Sequence, residues 1–279
     1  MSNKCIFLDI DGTVRDPFYG TPDSAMKAIK QAQKNGHLAV ICTGRSTGLI
    51  PDDFPTAEFD GIIAGGGCYI EKTGEVVLDK EMNPLKVKDI CIRLRSHGIL
   101  HRVETKSSVY MEPEMADMLG FLGEKANNSN SEIKQMIARR NKFELRFTID
   151  DFLKSPVPGT KICTISSPEK LDTIKEIFGD DFNIISHIDT QSNTMNTEIV
   201  QKGCDKGSGI RLFCERFGID IKDTVAFGDS MNDIDMFNAA AMTVAMENGE
   251  QALKDKADIV CGDILHDGLY DGFVKAGLI

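Results

Sequence analysis

Short, wholly apolar runs alternate with amphipathic stretches at both ends of this chain. Residues 4–8, closing on Cys5-Ile6-Phe7-Leu8, and the run Leu38-Ala39-Val40-Ile41-Cys42 have the texture of strands buried on both faces. Gly61-Ile62-Ile63-Ala64, entered from Asp60, predicts a third. Between the first two, Thr21-Pro22 predicts a helix start, with Thr21 as N-cap and Pro22 at the first helical position. Met26, Ile29, Ala32 and Gln33 give that helix a modest face, and Gly36 ends it. After Lys206 the same texture returns. Ile210, Phe213, Cys214 and Phe217 form a helical stripe closed by Gly218, and Thr224–Phe227 is a buried strand running into Gly228-Asp229. A helix from about Asp233 and strands at Thr243–Ala245 and Ile259–Val260 follow. Strand–helix–strand alternation implies parallel pairing through right-handed crossovers.

The middle of the chain reads differently. Tyr69–Leu78 predicts a hairpin turning at Lys72-Thr73-Gly74. Residues 84–97 are amphipathic, with Val87, Ile90, Cys91 and Leu94 at helical spacing before Gly98. Short strands follow near 99–104 and 107–111, helical segments near 114–124 and 131–140 flank the polar run Asn127–Ser131, and Lys161–Ser166, Phe182–Ile188 and Thr194–Val200 predict strands around a helix at Pro168–Phe178. The expected architecture is a doubly wound, Rossmann-like α/β domain of residues 1–82 and 193–279, with an α+β domain of residues 83–192 inserted into it.

Composition narrows the function classes. The net charge of −11 disfavours a polyanionic partner such as nucleic acid. Eight cysteines without any C-x-x-C pair read as small core residues in a reducing, cytoplasmic setting. No signal-peptide pattern and no apolar run of about 18 residues suggest export or a membrane span. The five histidines form no metal-ligand spacing.

The first buried strand ends in Asp9-Ile10-Asp11-Gly12-Thr13. Carboxylates at i and i+2 share one side of an extended strand, and Gly12 lets the backbone turn away sharply. Negative charge crowded at a strand end is costly unless a cation opposes it. Gly228-Asp229-Ser230-Met231-Asn232-Asp233 follows another buried strand. Either cluster alone reads as a capped turn. Together, at two strand ends of one parallel sheet, they point to a hard cation, with Asp9, Asp229 and one backbone carbonyl leaving room for waters and a substrate oxygen. Thr43 and the Gly44 amide, after the second strand, can donate to an anion, although a capping role is commoner for such a threonine. For Arg45 a phosphate clamp and a surface ion pair are equally open. Lys206, preferred to Lys202 for its place before the amphipathic stripe, would bring positive charge toward an anion at a helix start, although taken alone it reads more simply as an exposed surface lysine. Gly65-Gly66-Gly67 lacks the phosphate-loop form and marks a tight exit from the sheet.

Taken in order, these four elements resemble the motifs of the haloacid dehalogenase superfamily: Asp9-x-Asp11-Gly12-Thr13, Thr43, Lys206, and Gly228-Asp229-x-x-Asn232-Asp233. The long insertion between Thr43 and Lys206 resembles the type IIB cap of Cof-type phosphatases. The resemblance implies a Mg²⁺-dependent phosphatase of a small phosphorylated metabolite such as a sugar phosphate. Asp9 would be the nucleophile and Asp11 the acid and base. Asp9, the Asp11 backbone carbonyl and Asp229 would hold the metal. Thr43, Gly44, Lys206 and Asn232 would bind phosphoryl oxygens, with Thr13, Arg45 and Asp233 in support. Cof-type proteins usually carry an Asn-Gly pair after the third strand, where this chain has Gly65-Gly66-Gly67-Cys68, so their substrate preference does not carry over. Arg139, Arg140 and Arg146 are candidate cap contacts or surface residues. A monomer or homodimer is expected. A phosphomutase on the same fold and a non-catalytic phospho-ligand binding protein are the rival readings; the presence of both Asp9 and Asp11 disfavours the second.

Overall fold

Residues 3–118, 147–189 and 192–279 of the computed structural model are described. The first sheet is built from strands β1 (Cys5–Leu8), β2 (Leu38–Cys42), β3 (Gly61–Ala64), β4 (Tyr69–Lys72) and β5 (Glu75–Asp79). Strands β12 (Thr224–Gly228), β13 (Met242–Ala245) and β14 (Ile259–Val260) complete it, in the order β14-β13-β12-β1-β2-β3-β4-β5. The six strands from β14 to β3 are parallel, as the alternation predicts. The hairpin β4–β5, predicted at Tyr69–Leu78, then adds two antiparallel strands at the edge of the sheet. Its turn lies at Thr73 and Gly74, both at positive φ, a geometry that matches the twist of a two-stranded ribbon.

Helices cover both faces. On one side α1 (Asp23–Lys34) packs with α8 (Gly268–Lys275) over Ile6, Leu8, Ile41 and Phe227. On the other, α5 (Lys206–Phe217) and α6 (Ile234–Ala239) cover Phe7, Val40 and Ile63, with the Phe7 and Phe213 rings edge to face at 5.8 Å. Thr21 does not cap α1. Pro22 keeps an extended ψ of 141° and is itself the residue before the helix, so Thr21 stands one position too early and its buried hydroxyl has no partner among the described residues. The buried face of α1 is Ala25, Ala28, Ile29 and Ala32, with Met26 only half-buried and Gln33 turned to Asp60. No α-helix joins β2 to β3; two 3₁₀ turns, Thr47–Leu49 and Thr56–Glu58, carry that connection.

Among the described residues the second sheet has six strands in the order β10-β11-β9-β6-β7-β8. They are β6 (Leu100–Glu104), β7 (Val109–Met111), β8 (Phe147–Thr148), β9 (Lys161–Ser166), β10 (Phe182–Asp189) and β11 (Thr194–Gln201). Helices α2 (Pro84–Ser96), α3 (Ile149–Lys154) and α4 (Leu171–Phe178) supply Val87, Leu94, Phe152 and Ile174 to the core on one of its faces. Strand β11 belongs to this sheet, so the inserted layer runs past residue 193, where the sequence pattern suggests a return to the first domain. The expected helices near 114–124 and 131–140, the Asn127–Ser131 loop and Arg139, Arg140 and Arg146 lie wholly or largely outside the described residues. All eight cysteines are free and buried. Among the described residues no helix is long and apolar enough to cross a membrane.

Candidate active site

Neighbouring parallel strands end side by side, and the candidate residues follow those ends. Asp9 continues β1, its amide donating to the Phe227 carbonyl at 3.1 Å; Asp229 follows β12; Thr43 follows β2, its amide donating to the Ile63 carbonyl at 2.8 Å. At Gly12 the chain turns with φ +87°, and a Cβ there would lie 2.2 Å from Asp229 Oδ2. Only glycine lets the first turn approach the second carboxylate so closely.

Lys206 reaches into this edge from the first turn of α5. Asp205 caps that helix through a reciprocal pair with Ser208, which fixes where the lysine starts. The Lys206 Nζ donates to Asp9 Oδ1 at 2.8 Å, Asp233 Oδ1 at 2.6 Å and Asn232 Oδ1 at 3.4 Å. Lys202, the competing candidate, is exposed. The second oxygen of Asp233 accepts from the amides of Asp229 (2.9 Å) and Ser230 (3.2 Å), so one carboxylate orients both the lysine and the Asp229 turn.

Asp11 takes a different partner. The Arg45 guanidinium grips its carboxylate with Nε on Oδ2 and, at 2.7 Å, Nη2 on Oδ1, while Nη1 donates to the Leu49 carbonyl at 2.9 Å. Arg45 is thus neither a surface ion pair nor a free phosphate clamp; it is a buried partner of Asp11. Thr43 Oγ1 accepts from the Arg45 amide at 3.1 Å, a capping bond that leaves its own proton to donate. Gly44 is half-buried beside it. The glycine run makes the tight exit expected of it, with the Gly65 amide on the Arg45 carbonyl and the Gly66 amide on the Thr43 carbonyl. Thr13 Oγ1 is buried without a hydrogen-bond partner among the described residues.

Charge decides what this edge lacks. Asp9, Asp11, Asp229 and Asp233 face Lys206 and Arg45, and none of the six is more than 7% exposed. Four carboxylates against two cations leave two negative charges out of water, a costly arrangement that one divalent cation balances. The cost is visible at Asp9: burial pushes its carboxyl up to about 7 although Lys206 pulls the other way, with Asp233 and Asp11 adding to the rise. Burial would also strip Lys206 of its proton, but Asp233 and Asp9 outweigh it and hold the ammonium well above its ordinary value. Oxygens of Asp9, Asp229 and Asp233 lie within 4.8 Å of one another. Hard oxygen donors with a deficit of two charges fit a hard divalent cation. The carboxylate cluster contains Asp233 and not the Asp11 side chain, which Arg45 occupies; Asp11 has only its backbone carbonyl to offer.

One support was not legible beforehand. Asn248 Nδ2 donates to the Gly12 carbonyl at 2.8 Å, its Oδ1 accepts from Ile264, and the Glu250 amide donates to the Asp229 carbonyl at 2.7 Å. The loop after β13 therefore props both acidic turns. Its signal was the turn dipeptide Asn248-Gly249 directly after a buried strand.

A family model described as haloacid dehalogenase-like hydrolase matches residues 6–273. The chain belongs to that family. Its enzyme class and Cof-type character agree with the motifs at the strand ends. This hydrolase is 26% identical to the phosphoglycolate phosphatase of Methanobrevibacter smithii over 275 residues, covering 99% of each chain. It is 28% identical to the 5-amino-6-(5-phospho-D-ribitylamino)uracil phosphatase YwtE of Bacillus subtilis over 274 residues, 92% of each. Its fold matches the subclass IIB sugar phosphatase BT4131 with a TM-score of 0.77 at 22% identity, covering 99% of this chain and 100% of that one.

Proposed function

We propose that this phosphoric monoester hydrolase is a Mg²⁺-dependent phosphatase of small phosphorylated metabolites, working through a phosphorylated Asp9. The observation that carries the reading is the buried edge in which oxygens of Asp9, Asp229 and Asp233 converge beside Lys206, carboxylates outnumbering cations. Relatives named as phosphatases of phosphoglycolate and of a phosphoribityl compound support the substrate class.

Asp9, its Oδ1 already on Lys206, attacks phosphorus with a carboxylate oxygen. The new P–O bond forms as the ester P–O bond breaks, and Asp11 gives its proton to the departing oxygen. Water then attacks the acyl phosphate, Asp11 takes a proton from it, and phosphate leaves Asp9. Arg45 grips both Asp11 oxygens, so this exchange requires the guanidinium to yield one of them. Thr43 and Gly44 donate to the phosphoryl oxygens, and Lys206 with Asn232 offsets their charge. Mg²⁺, held by Asp9, Asp229 and the Asp11 carbonyl or Asp233, would supply the positive charge that lets two anions meet. Acid–base help alone is worth about 10²–10⁴-fold, far below the roughly 10²¹-fold that phosphomonoester hydrolysis can demand. A covalent step and concentrated charge fill that gap.

Release of inorganic phosphate from acetyl phosphate, phenyl phosphate and glucose 6-phosphate, with Mg²⁺ and with a chelator, tests the reading. Mg²⁺-dependent release supports it. Isomerised sugar phosphate without free phosphate would favour the mutase, and binding without turnover the non-catalytic reading.

A further inference from the structure

The two faces of the second sheet differ in kind. Val103, Ile162, Met195 and Ile199 face the helices and join their apolar core. Alternation puts Arg102, Glu104, Lys161, Cys163 and Glu198 on the other face, and the register sets Arg102 and Glu198 opposite Cys163, and Glu104 opposite Lys161. Arg102 Nη2 lies 2.8 Å from Glu104 Oε1; Lys161 Nζ lies 2.9 Å from Glu198 Oε1 and 3.7 Å from Glu104 Oε2. The free face of an antiparallel sheet ordinarily meets water. Here Arg102, Glu104 and Lys161 are none of them more than 7% exposed.

What this face meets is the loop that follows β2. A Cβ on Gly44 would stand 3.9 Å from Lys161 Nζ, and Ser46 Oγ donates to the Thr105 carbonyl at 2.9 Å. A lysine of the second sheet therefore stands over the Thr43-Gly44 turn. Burial would neutralise Lys161, but Glu104 and Glu198 keep it charged; burial would likewise neutralise Glu198, and Lys161 holds it below the usual carboxylate range.

The charge count differs from that of the acidic edge below. Two cations face two carboxylates, so this group is balanced without any ion. A second anionic group on the ligand would add charge to a balanced, buried set, and an apolar one would strand buried charges without partners. Hydroxyls suit both sides: they donate to Glu198 and accept from Lys161.

We propose that Lys161 and Glu198, backed by Arg102 and Glu104, form the leaving-group subsite and select phosphate monoesters of small neutral polyols or sugars. The inference rests on the phosphatase reading above. The test compares kcat/KM for phenyl phosphate, glycerol 3-phosphate, fructose 6-phosphate and fructose 1,6-bisphosphate in the wild type, Glu198→Gln and Lys161→Arg proteins. The wild type is expected to prefer a monophosphate ester over the bisphosphate at least about tenfold. Glu198→Gln, close in shape to the native residue, is expected to lower the polyol-to-phenyl ratio about tenfold, mainly through KM, and Lys161→Arg to lower it less. An unchanged ratio in Glu198→Gln, or preference for the bisphosphate, overturns the subsite while leaving the phosphatase reading intact. Failure of the wild type to hydrolyse even phenyl phosphate overturns the phosphatase reading and the subsite with it.

Discussion

Asp9 and Asp11 sit two positions apart, yet they keep different company. Asp9 is held by Lys206 at 2.8 Å beside Asp229 and Asp233, whereas Asp11 is gripped by Arg45. Unlike surroundings suit unlike tasks, a nucleophile and a proton carrier. Asp9→Asn is accordingly expected to cut kcat by about 10³-fold or more, measured as phosphate release with far-ultraviolet circular dichroism confirming the fold. Gly12→Ala tests the approach of the two acidic turns. Its Cβ would sit 2.2 Å from Asp229 Oδ2 in a backbone conformation that alanine resists, so Mg²⁺ affinity measured by calorimetry should fall at least about tenfold. The acidic positions were legible in sequence because both clusters follow apolar runs. The Arg45–Asp11 pair was not, because no spacing tells an arginine three residues past a strand which way its fork will turn.

At the scale of elements, patterning worked where one residue type dominated a face and failed where packing overrode propensity. The stripe of Ile210, Phe213 and Cys214 on α5 is buried as its spacing implies. Helix α8 carries no clear mark in the sequence because Gly268 and Gly272 lower its helical propensity; a Cβ at Gly272 would lie 2.9 Å from the Phe227 ring, so the glycine serves close packing on β12. Phe213→Ala removes the ring that meets Phe7 edge to face and should cost about 3–5 kcal/mol in urea unfolding. In β6, His101 is buried; its Nδ1 lies 3.1 Å from the Ile99 carbonyl, which can only accept, and its Nε2 has no partner among the described residues. Burial lowers its pKa. A depressed pKa in the folded state means that its contribution is present above the unfolded value of about 6.5 and is lost as pH falls through the folded one. Wild type should therefore lose more stability than His101→Gln between about pH 7.5 and pH 5.5, read as the shift in urea midpoint.

Across the whole molecule, two sheets meet over one acidic edge. The first supplies the carboxylates and the deficit of two charges; the second covers it with a polar group that is already balanced. Cation binding should then stabilise the folded chain. At a Mg²⁺ concentration about 100 times Kd the gain is about 2.7 kcal/mol, read as a rise in unfolding midpoint that a chelator reverses and Asp229→Asn abolishes. The sequence pattern anticipated the sheet of buried strands but placed the boundary of the inserted layer at residue 193, because the alternating polar residues of β11 carry no mark of which sheet they join. Asp9 is the point on which the account rests. Acid quenching within a single turnover of acetyl phosphate, followed by peptide mass spectrometry, should find one phosphoryl group on Asp9 and none in Asp9→Asn. Full turnover by Asp9→Asn, with no adduct on Asp9 in the wild type, would contradict it.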